Sequence, residues 1–242
     1  MKLVVSQPMF LPWAGLFEQI KLADVYVHYD DVQMPVGRSF MSRVQIKTPK
    51  GAQWLSARID RRRSRPLISE TFLLHDSDWR EKHLNLLSQN YREANEYTTM
   101  LRLAENIYSH REDNLAGFNQ IAIEYLADWL GLNTEFRVSS RLAIQGTGTQ
   151  RLIDICRYFG ASEYITGHGA RNYLDHEAFE SNNIKVSYMN YELPRYKQLH
   201  GEFTSYVTIL DAIANLGESA QDLLTCRTAD WRDFLADQQI GG

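Results

Sequence analysis

The sequence pattern of residues 3–29 predicts an apolar strand, a helix and a second apolar strand in immediate succession. Residues 3–6 form a short β-branched run, residues 14–22 repeat apolar side chains at helical spacing, and residues 25–29 form a second apolar run. Two strands joined by a helix within so short a stretch form a βαβ unit, whose strands lie parallel in one sheet. The chain is therefore expected to contain a parallel sheet.

The same alternation returns in the C-terminal half of the chain. Three further strands are predicted, at residues 134–140, 162–167 and 184–191. A hairpin around the turn at 48–51 and a helical stretch from 78 to 131 separate the two halves. The pattern predicts an α/β fold with a central, mainly parallel sheet flanked by helices and an all-helical insert. Residues 1–242 then form a single domain, with a helical subdomain at 77–133 inserted between two α/β halves.

Composition narrows the class of protein. The chain has 242 residues, 44% of them hydrophobic, so it can bury a large core without disulfide bonds. Its formal net charge of -4 argues against nucleic acid as the main partner, because phosphate binding usually leaves a basic surface. No His or Cys lies at metal-ligand spacing from Cys156 or Cys226, so the sequence does not indicate a zinc site. No apolar run approaches the roughly 20 residues that cross a bilayer. We expect a cytoplasmic protein with no membrane segment, and its oligomeric state stays open.

Two prolines, a tryptophan and a glycine lie between the first strand and its helix. In open α/β sheets, ligands bind beyond the carboxyl ends of the strands, where this corner is expected. Gln7, Pro12, Trp13 and Gly15 are therefore candidate substrate- or nucleotide-binding residues, at a helix N-terminus that favours an anion. A rigid corner with Trp13 in the core accounts for the same residues equally well.

The second strand also ends in residues that could carry chemistry. Asp30 and Asp31 are adjacent carboxylates that repel each other, so one could act as a base, or both could hold Mg²⁺. Gln33 follows them and is a candidate binding residue. His28 is a candidate proton carrier, as is His168 in a later loop. The alternative for the aspartates is turn formation, since Asp side chains often begin turns.

Two glycine-rich loops flank the later helix and strand. "GTGTQR" and "TGHGAR" could bring backbone N–H groups near Gly148 and Gly167 to a phosphate, and Arg151 and Arg171 could add bidentate contacts. Neither loop has the Walker or the dinucleotide glycine pattern, and surface arginines beside helix ends are an equally good interpretation. The basic segment 60–66, "DRRRSRP", predicts a solvated loop or a polyanion contact.

Six segments, in this order along the chain, resemble the WbqC-like family. They are "QPMFLPWAGLF", "ADVYVHYDDVQ", "SRVQI", "RLIDICRYFGASEYITG", "YKQLHGEF" and "ILDAIANLG". Because the set spans nearly the whole chain, the chain is identified as a member of that family. Matching family positions add Arg43, Tyr196 and Gln198 to the candidate binding residues. The chain departs from the family pattern at Gln45, where a second arginine is usual, and at Thr208, where serine is common.

The resemblance implies a bacterial protein of O-antigen or other surface-polysaccharide biosynthesis. Family members are associated with transfer of an amino-acyl group, often glycyl, or an acyl group to a sugar. A weaker similarity is to adenylate-forming and nucleotidyl-transferring enzymes with His-x-Gly-His after the first strand, which makes ATP and Mg²⁺ candidate cofactors. Trp13 and Leu16 occupy the two histidine positions here.

We therefore expect a transferase that binds a small-molecule or nucleotide-sugar substrate at the mouth of the sheet. In this hypothesis a carboxylate substrate is activated as an acyl-adenylate, Asp30 or Asp31 holds Mg²⁺ or acts as a base, and phosphate contacts Arg43 and Arg171. Two alternatives stay open. One is a non-catalytic protein of the same pathway that binds a sugar nucleotide or a partner. The other is an RNA-binding protein that uses residues 61–65.

Overall fold

The protein is built around a six-stranded sheet. The computed structural model describes residues 1–37, 39–75 and 78–240. Its strands are β1 (Lys2–Ser6), β2 (Val25–His28), β3 (Arg43–Thr48), β4 (Gly51–Ser56), β5 (Glu135–Val138), β6 (Glu163–Thr166), β7 (Lys185–Met189) and β8 (Thr228–Asp230). The large sheet has the order β5-β2-β1-β6-β7-β8, and β3 pairs with β4 in a separate hairpin. All neighbours in the large sheet are parallel except β7 and β8.

Helices cover both faces of this sheet. They are α1 (Ala14–Leu22), α2 (Trp79–Tyr91), α3 (Tyr97–Ser109), α4 (Leu115–Trp129), α5 (Gly148–Phe159), α6 (His176–Ser181), α7 (Ile209–Leu216) and α8 (Trp231–Ile240). Short 3-10 helices occupy Ile68–Glu70, Ser139–Arg141, His168–Asn172 and Gly217–Leu223. The predicted α/β class, with a mainly parallel sheet flanked by helices, is confirmed.

The alternation of side chains along the strands creates two apolar cores. Val4 and Tyr26 point to one face, where they join α1, α7, the hairpin and the three helices α2, α3 and α4. Leu3, Val5 and Val27 point to the other face, where they join α5, α6 and α8. Successive strand residues face opposite sides of a sheet, and both sides here are apolar, as expected for parallel strands buried on both faces.

The stretch predicted as a helical insert consists of α2, α3 and α4. Their aromatic side chains enclose Phe10 of the N-terminal corner, with Phe118 stacked on it at a centroid distance of 5.7 Å and Trp79 at 6.3 Å. Asn119 of α4 donates hydrogen bonds of 2.8 Å to the carbonyls of Pro8 and Met41. The assignment of one domain with a subdomain at 77–133 stays a prediction, and its positions 77 and 242 lie outside the described residues.

The order of the strands reverses between β1 and β6. From β1 the chain proceeds to β2 and then β5 on one side, whereas β6, β7 and β8 extend the sheet on the other side. Loops that leave the carboxyl ends of β1 and β6 therefore diverge and leave a crevice, which is the usual ligand position in open α/β sheets. Among the described helices, none has the length and apolar character needed to cross a membrane.

Candidate functional site

A cleft of about 810 Å³ opens at this reversal of strand order. Its walls come from the carboxyl ends of β1 and β6, the loop after β2, the N-terminus of α5 and the loop after β6. We call it the switch-point cleft. Gln7 and Gln33, both predicted as binding residues, line it. Gly148, Arg151, Gly167 and the predicted catalytic residue Asp31 line it as well.

The glycine-rich turn before α5 forms one wall of the switch-point cleft. Gly146 and Gly148 have φ of +106° and +61°, in the left-handed region that favours glycine. Thr147 between them makes no side-chain hydrogen bond to cap the helix. Since the first N–H groups of a helix have no partners within the helix, and its dipole is positive at that end, this wall suits a negatively charged group.

Arg151 and Asp31 form a fixed ion pair in the wall of the cleft. Arg151 donates from Nη2 to Asp31 Oδ2 at 2.5 Å and from Nε to the Ile144 carbonyl at 3.1 Å. Its guanidinium carbon lies 5.0 Å from the centre of the Tyr29 ring. Partial burial works to raise the pKa of Asp31, but hydrogen bonds from Arg151 and Ser139 outweigh it and lower that pKa. Asp31 is therefore a carboxylate at neutral pH.

Asp30 is turned into the protein instead. The Ser140 N–H donates to its Oδ1 at 3.0 Å, and the Ser140 hydroxyl donates to its Oδ2 at 2.9 Å. The Ser139 hydroxyl lies 2.5 Å from Asp31 Oδ1 and 3.1 Å from Asp30 Oδ1. Magnesium takes free oxygen ligands, and here both carboxylates are occupied by protein donors. Within residues 1–37, 39–75 and 78–240, no group of three or more His, Cys, Asp or Glu could hold a metal ion.

Both candidate proton carriers lie outside the cleft lining. His28 is fully buried, and its Nε2 lies 3.1 Å from Glu124 Oε1 of α4, with the ring stacked on Phe136. His168 follows β6, and its Nε2 donates to the Met189 carbonyl at 2.9 Å.

The remaining basic candidates also lie away from the cleft lining. Arg171 is an exposed residue of the 3-10 helix after β6. Arg43 lies on the hairpin, with its guanidinium carbon 3.8 Å from the centre of the Trp54 ring. Residues 61–65 of the basic segment are exposed, and Arg62 pairs with Asp60 at 2.5 Å.

The N-terminal corner lines a second, smaller cavity of about 190 Å³. It is bounded by Met9, Phe10, Pro12, Trp13, Phe40, Val44 and Tyr206. We call it the aromatic slot. The Trp13 ring lies against the first turn of α1. A Cβ built on Gly15 would be only 2.2 Å from its ring carbons, so the ring can lie there only because Gly15 has no side chain. Pro12, Trp13 and Gly15, predicted as binding residues, thus shape the aromatic slot and are not part of the lining of the switch-point cleft.

Tyr196 and Gln198 belong to a third place, a buried network around Asp211. The hydroxyls of Tyr196 and Tyr91 donate to the two oxygens of Asp211 at 2.7 and 2.8 Å. Gln198 donates to Tyr196 Oη at 3.0 Å and holds the backbone of Thr204. Burial raises the pKa of Asp211, and the tyrosine hydrogen bonds oppose that rise. The network ties the loop before α7 to α2 and to α7.

The comparison with known proteins gives the same family as the six sequence segments described above. The model of the WbqC-like protein family matches residues 7–223. The chain belongs to the WbqC-like family. The uncharacterized protein Rv1507c of Mycobacterium tuberculosis is 33% identical to this WbqC-like chain over 230 residues, which cover 93% of the chain and 99% of that protein. No solved structure gives a significant match. The family is linked to polysaccharide biosynthesis.

The switch-point cleft of this WbqC-like protein also contains residues that the sequence did not single out. Tyr173 follows the "TGHGAR" loop and lines the cleft with 63% of its surface exposed. Gln19 of α1 also lines it, and a Cβ on Gly167 would lie 2.8 Å from its amide nitrogen. A tyrosine two residues after a glycine-rich loop is the sequence signal that could have pointed to Tyr173.

Proposed function

We propose that this protein is a cytoplasmic transferase of surface-polysaccharide biosynthesis that binds a nucleotide or nucleotide-activated substrate in the switch-point cleft. The observation that carries the proposal is the position of this cleft: it lies at the reversal of strand order and is lined by both glycine-rich loops. This is the general ligand position of open α/β sheets. The group transferred in this proposal is an acyl or amino-acyl group, and the acceptor is a sugar.

The two glycine-rich loops are assigned to the phosphates. The left-handed turn at Gly146 and Gly148 places the uncapped N-terminus of α5 at the cleft, where backbone N–H groups favour anions. Tyr173 provides an exposed ring on the same cleft, suited to stack on a base or sugar. A nucleotide placed with its phosphates at α5 and its base near Tyr173 would use both features.

The Arg151 and Asp31 pair is assigned to positioning the reacting groups. Hydrogen bonds to Asp31 and to the Ile144 carbonyl hold the guanidinium in place before substrate arrives. A charged group fixed in advance stabilises developing negative charge without reorganisation during the reaction. Any Mg²⁺ in this proposal enters with the phosphates of the nucleotide, because the oxygens of Asp30 and Asp31 already accept protein hydrogen bonds.

A thermal-shift titration with ATP, nucleotide sugars, acyl-CoA and glycine, each with and without Mg²⁺, tests the proposal. A ligand at about 100 times its Kd stabilises the fold by about 2.7 kcal/mol. For a chain of this size that corresponds to a rise in Tm of roughly 5–10 °C. A shift with a nucleotide or a nucleotide sugar supports the proposal, whereas no shift with any of them contradicts it.

Two exposed tyrosines provide a matched pair of variants. Tyr173 and Tyr158 are 63% and 62% exposed, but only Tyr173 lines the cleft. Tyr173→Ala should weaken nucleotide binding about 5- to 150-fold, since stacking on one base contributes about 1–3 kcal/mol. Tyr158→Ala should leave the affinity unchanged. Equal effects of the two variants would place the nucleotide elsewhere.

A non-catalytic binding protein of the same pathway is the second candidate. It is favoured by the composition of the cleft: among the described residues, Asp31 is the one carboxylate in its lining, it is ion-paired, and no histidine accompanies it. Turnover distinguishes the two candidates. An enzyme with Asp31→Asn should lose activity while it still binds ligand, whereas a binding protein should consume no donor even in its wild-type form.

A further inference from the structure

The aromatic slot differs from the switch-point cleft in chemistry. Its seven lining residues contribute only two polar side-chain groups, the indole N–H of Trp13 and the hydroxyl of Tyr206. The Trp13 ring contacts the rings of Tyr206 and Tyr191, at centroid distances of 5.3 and 6.0 Å. Phe10, Pro12 and Val44 are buried and form its inner wall. A cavity with so few polar partners does not hold ordered water well, so it suits an apolar group.

The volume of the aromatic slot limits what it can hold. At about 190 Å³ it is somewhat larger than the cavity of about 150 Å³ that binds benzene in an engineered protein. It therefore has room for about six carbon atoms. A glycyl group would leave most of this space empty, and a long fatty chain would not fit.

The aromatic slot and the switch-point cleft share one lining residue. Met9 lines both cavities, and it lies two residues after Gln7, which lines the cleft. Methionine is unbranched and adapts its shape to a neighbouring group, so it suits a boundary between two parts of one ligand. A ligand with its polar part in the cleft could reach past Met9 into the slot.

We propose that the aromatic slot binds an apolar group of about six carbons, such as a short acyl chain, carried by a ligand whose polar part lies in the switch-point cleft. This inference rests on the proposed function and adds the class of acyl group that is transferred. It also assigns a role to the corner of Pro12, Trp13 and Gly15, which the cleft does not use. The corner holds the indole ring of Trp13 against the helix at Gly15, and the same residue lines the slot.

A series of carboxylates tests the slot without any nucleotide. Acetate, butyrate and hexanoate are titrated into the protein, and the indole N–H signal of Trp13, assigned with Trp13→Phe, is followed by NMR. Each buried CH₂ group should tighten binding about fourfold. Hexanoate should therefore bind about 16-fold more tightly than butyrate and shift the Trp13 signal. Equal Kd values along the series, or shifts only at other tryptophans, would overturn the proposal.

Three tyrosines of equal exposure separate this proposal from the proposed function. Tyr206, in the slot, is 61% exposed, and Tyr158 and Tyr173 differ from it by at most two percentage points. Tyr206→Ala should remove the dependence on chain length, and Tyr158→Ala should not. Equal effects of Tyr206→Ala and Tyr158→Ala on the carboxylate series would overturn the proposal that the slot binds the apolar group. Tyr173→Ala should weaken nucleotide binding, and the dependence of the carboxylate Kd on chain length should stay as steep as in the wild type.

The two proposals can fail separately. If nucleotides bind in a Tyr173-dependent way but the carboxylates show no gradient, the slot proposal fails and the function stands. If the gradient is present and no nucleotide binds, the proposed function fails and the slot stands.

Val44→Ile, which adds one methyl group to the inner wall of the slot, gives a second check of the slot proposal. It should weaken hexanoate severalfold and leave acetate unchanged, and unchanged hexanoate binding would contradict the proposal.

Discussion

At the scale of single residues, the N-terminal corner depends on the missing side chain of Gly15. The Trp13 ring occupies the space that a Cβ would take, 2.2 Å from two of its carbons. Nearby, Leu11 has a φ of +40°, a conformation that non-glycine residues seldom adopt. The hydrogen bonds from Asn119 to the Pro8 and Met41 carbonyls hold this chain segment in place.

We expect Gly15→Ala to destabilise the protein by about 1–3 kcal/mol, because the added methyl group displaces the Trp13 ring. In the first turn of a helix, the same change would otherwise be favourable by up to about 1 kcal/mol. Urea unfolding of Gly15→Ala, Trp13→Ala and the double variant separates the two effects. In the Trp13→Ala background the glycine substitution should be neutral or stabilising, and an equal loss in both backgrounds would contradict this explanation.

A second prediction at this scale concerns Asp31 and acid. Its pKa in the folded protein is lowered despite partial burial, mainly by Arg151 and Ser139. A carboxyl group whose pKa falls on folding stabilises the protein above its unfolded pKa, near 3.9, and this contribution is lost as the pH falls through the folded pKa.

Asp31→Asn should therefore cost roughly 1–3 kcal/mol at pH 7, below the full cost of breaking a buried pair because the Asp31 side chain is 21% exposed. The variant should also lose less stability than the wild type below pH 4. Asp78→Asn, which removes an exposed pair with Lys82, is the control and should change stability less. Equal losses for the two variants would argue against a role of the Asp31 pair in stability.

At the scale of elements, the helices α2, α3 and α4 carry a buried histidine among aromatic rings. His83 of α2 lies 2.9 Å from the Tyr108 hydroxyl through its Nδ1, and the rings of Phe10 and Trp79 contact it. Burial lowers the pKa of His83 to about 4, and a hydrogen bond with the Ser56 backbone only partly opposes this. The helices should thus be sensitive to mild acid.

The direction of the change in stability with pH follows from the unfolded state, in which His83 binds a proton near its ordinary pKa of 6.5. As the pH falls from about 6.5 to about 4, the unfolded chain gains a proton that the folded chain does not, and roughly 3 kcal/mol of stability is lost. Urea unfolding at pH 7, 5.5 and 4.5 should show a weaker pH dependence for His83→Gln than for the wild type. His110→Gln, at an exposed histidine, is the control for the loss of a histidine, and parallel curves for all three proteins would contradict the assignment.

The elements that could be predicted from the sequence are those in which several apolar residues recur at regular spacing or a turn motif marks the end. The βαβ unit, the hairpin, α4 and α5 lie where the patterns indicate, because periodicity and turn residues are local signals. The three-residue strand β8 and the six-residue helix α6 carry too little pattern to be recognised. The placement of site residues was harder, since it depends on single-residue alternation. His28 faces α4, whereas Tyr29, one residue later, lines the cleft.

At the scale of the whole molecule, the switch-point cleft joins two parts of the chain that are distant in sequence. One wall comes from the segments around Gln7 and Asp31, and the other from residues 146–151 and 166–173. The ion pair between Asp31 and Arg151 links the two walls, and hydrogen bonds from Ser140 hold the neighbouring Asp30. A ligand in the cleft would contact both parts.

Ligand binding should therefore slow amide hydrogen exchange on both sides of the cleft at once. With a nucleotide at saturation, we expect protection at residues 146–149 and 166–173 and also at 31–33, because local opening of either wall would then require release of the ligand. The hairpin β3–β4 contributes no residue to the cleft lining and should exchange as before, which makes it the internal control. Protection confined to one wall would mean that the nucleotide lies on a single loop. Protection at residues 60–66 alone would mean that the basic segment, and not the switch point of the sheet, binds the phosphates.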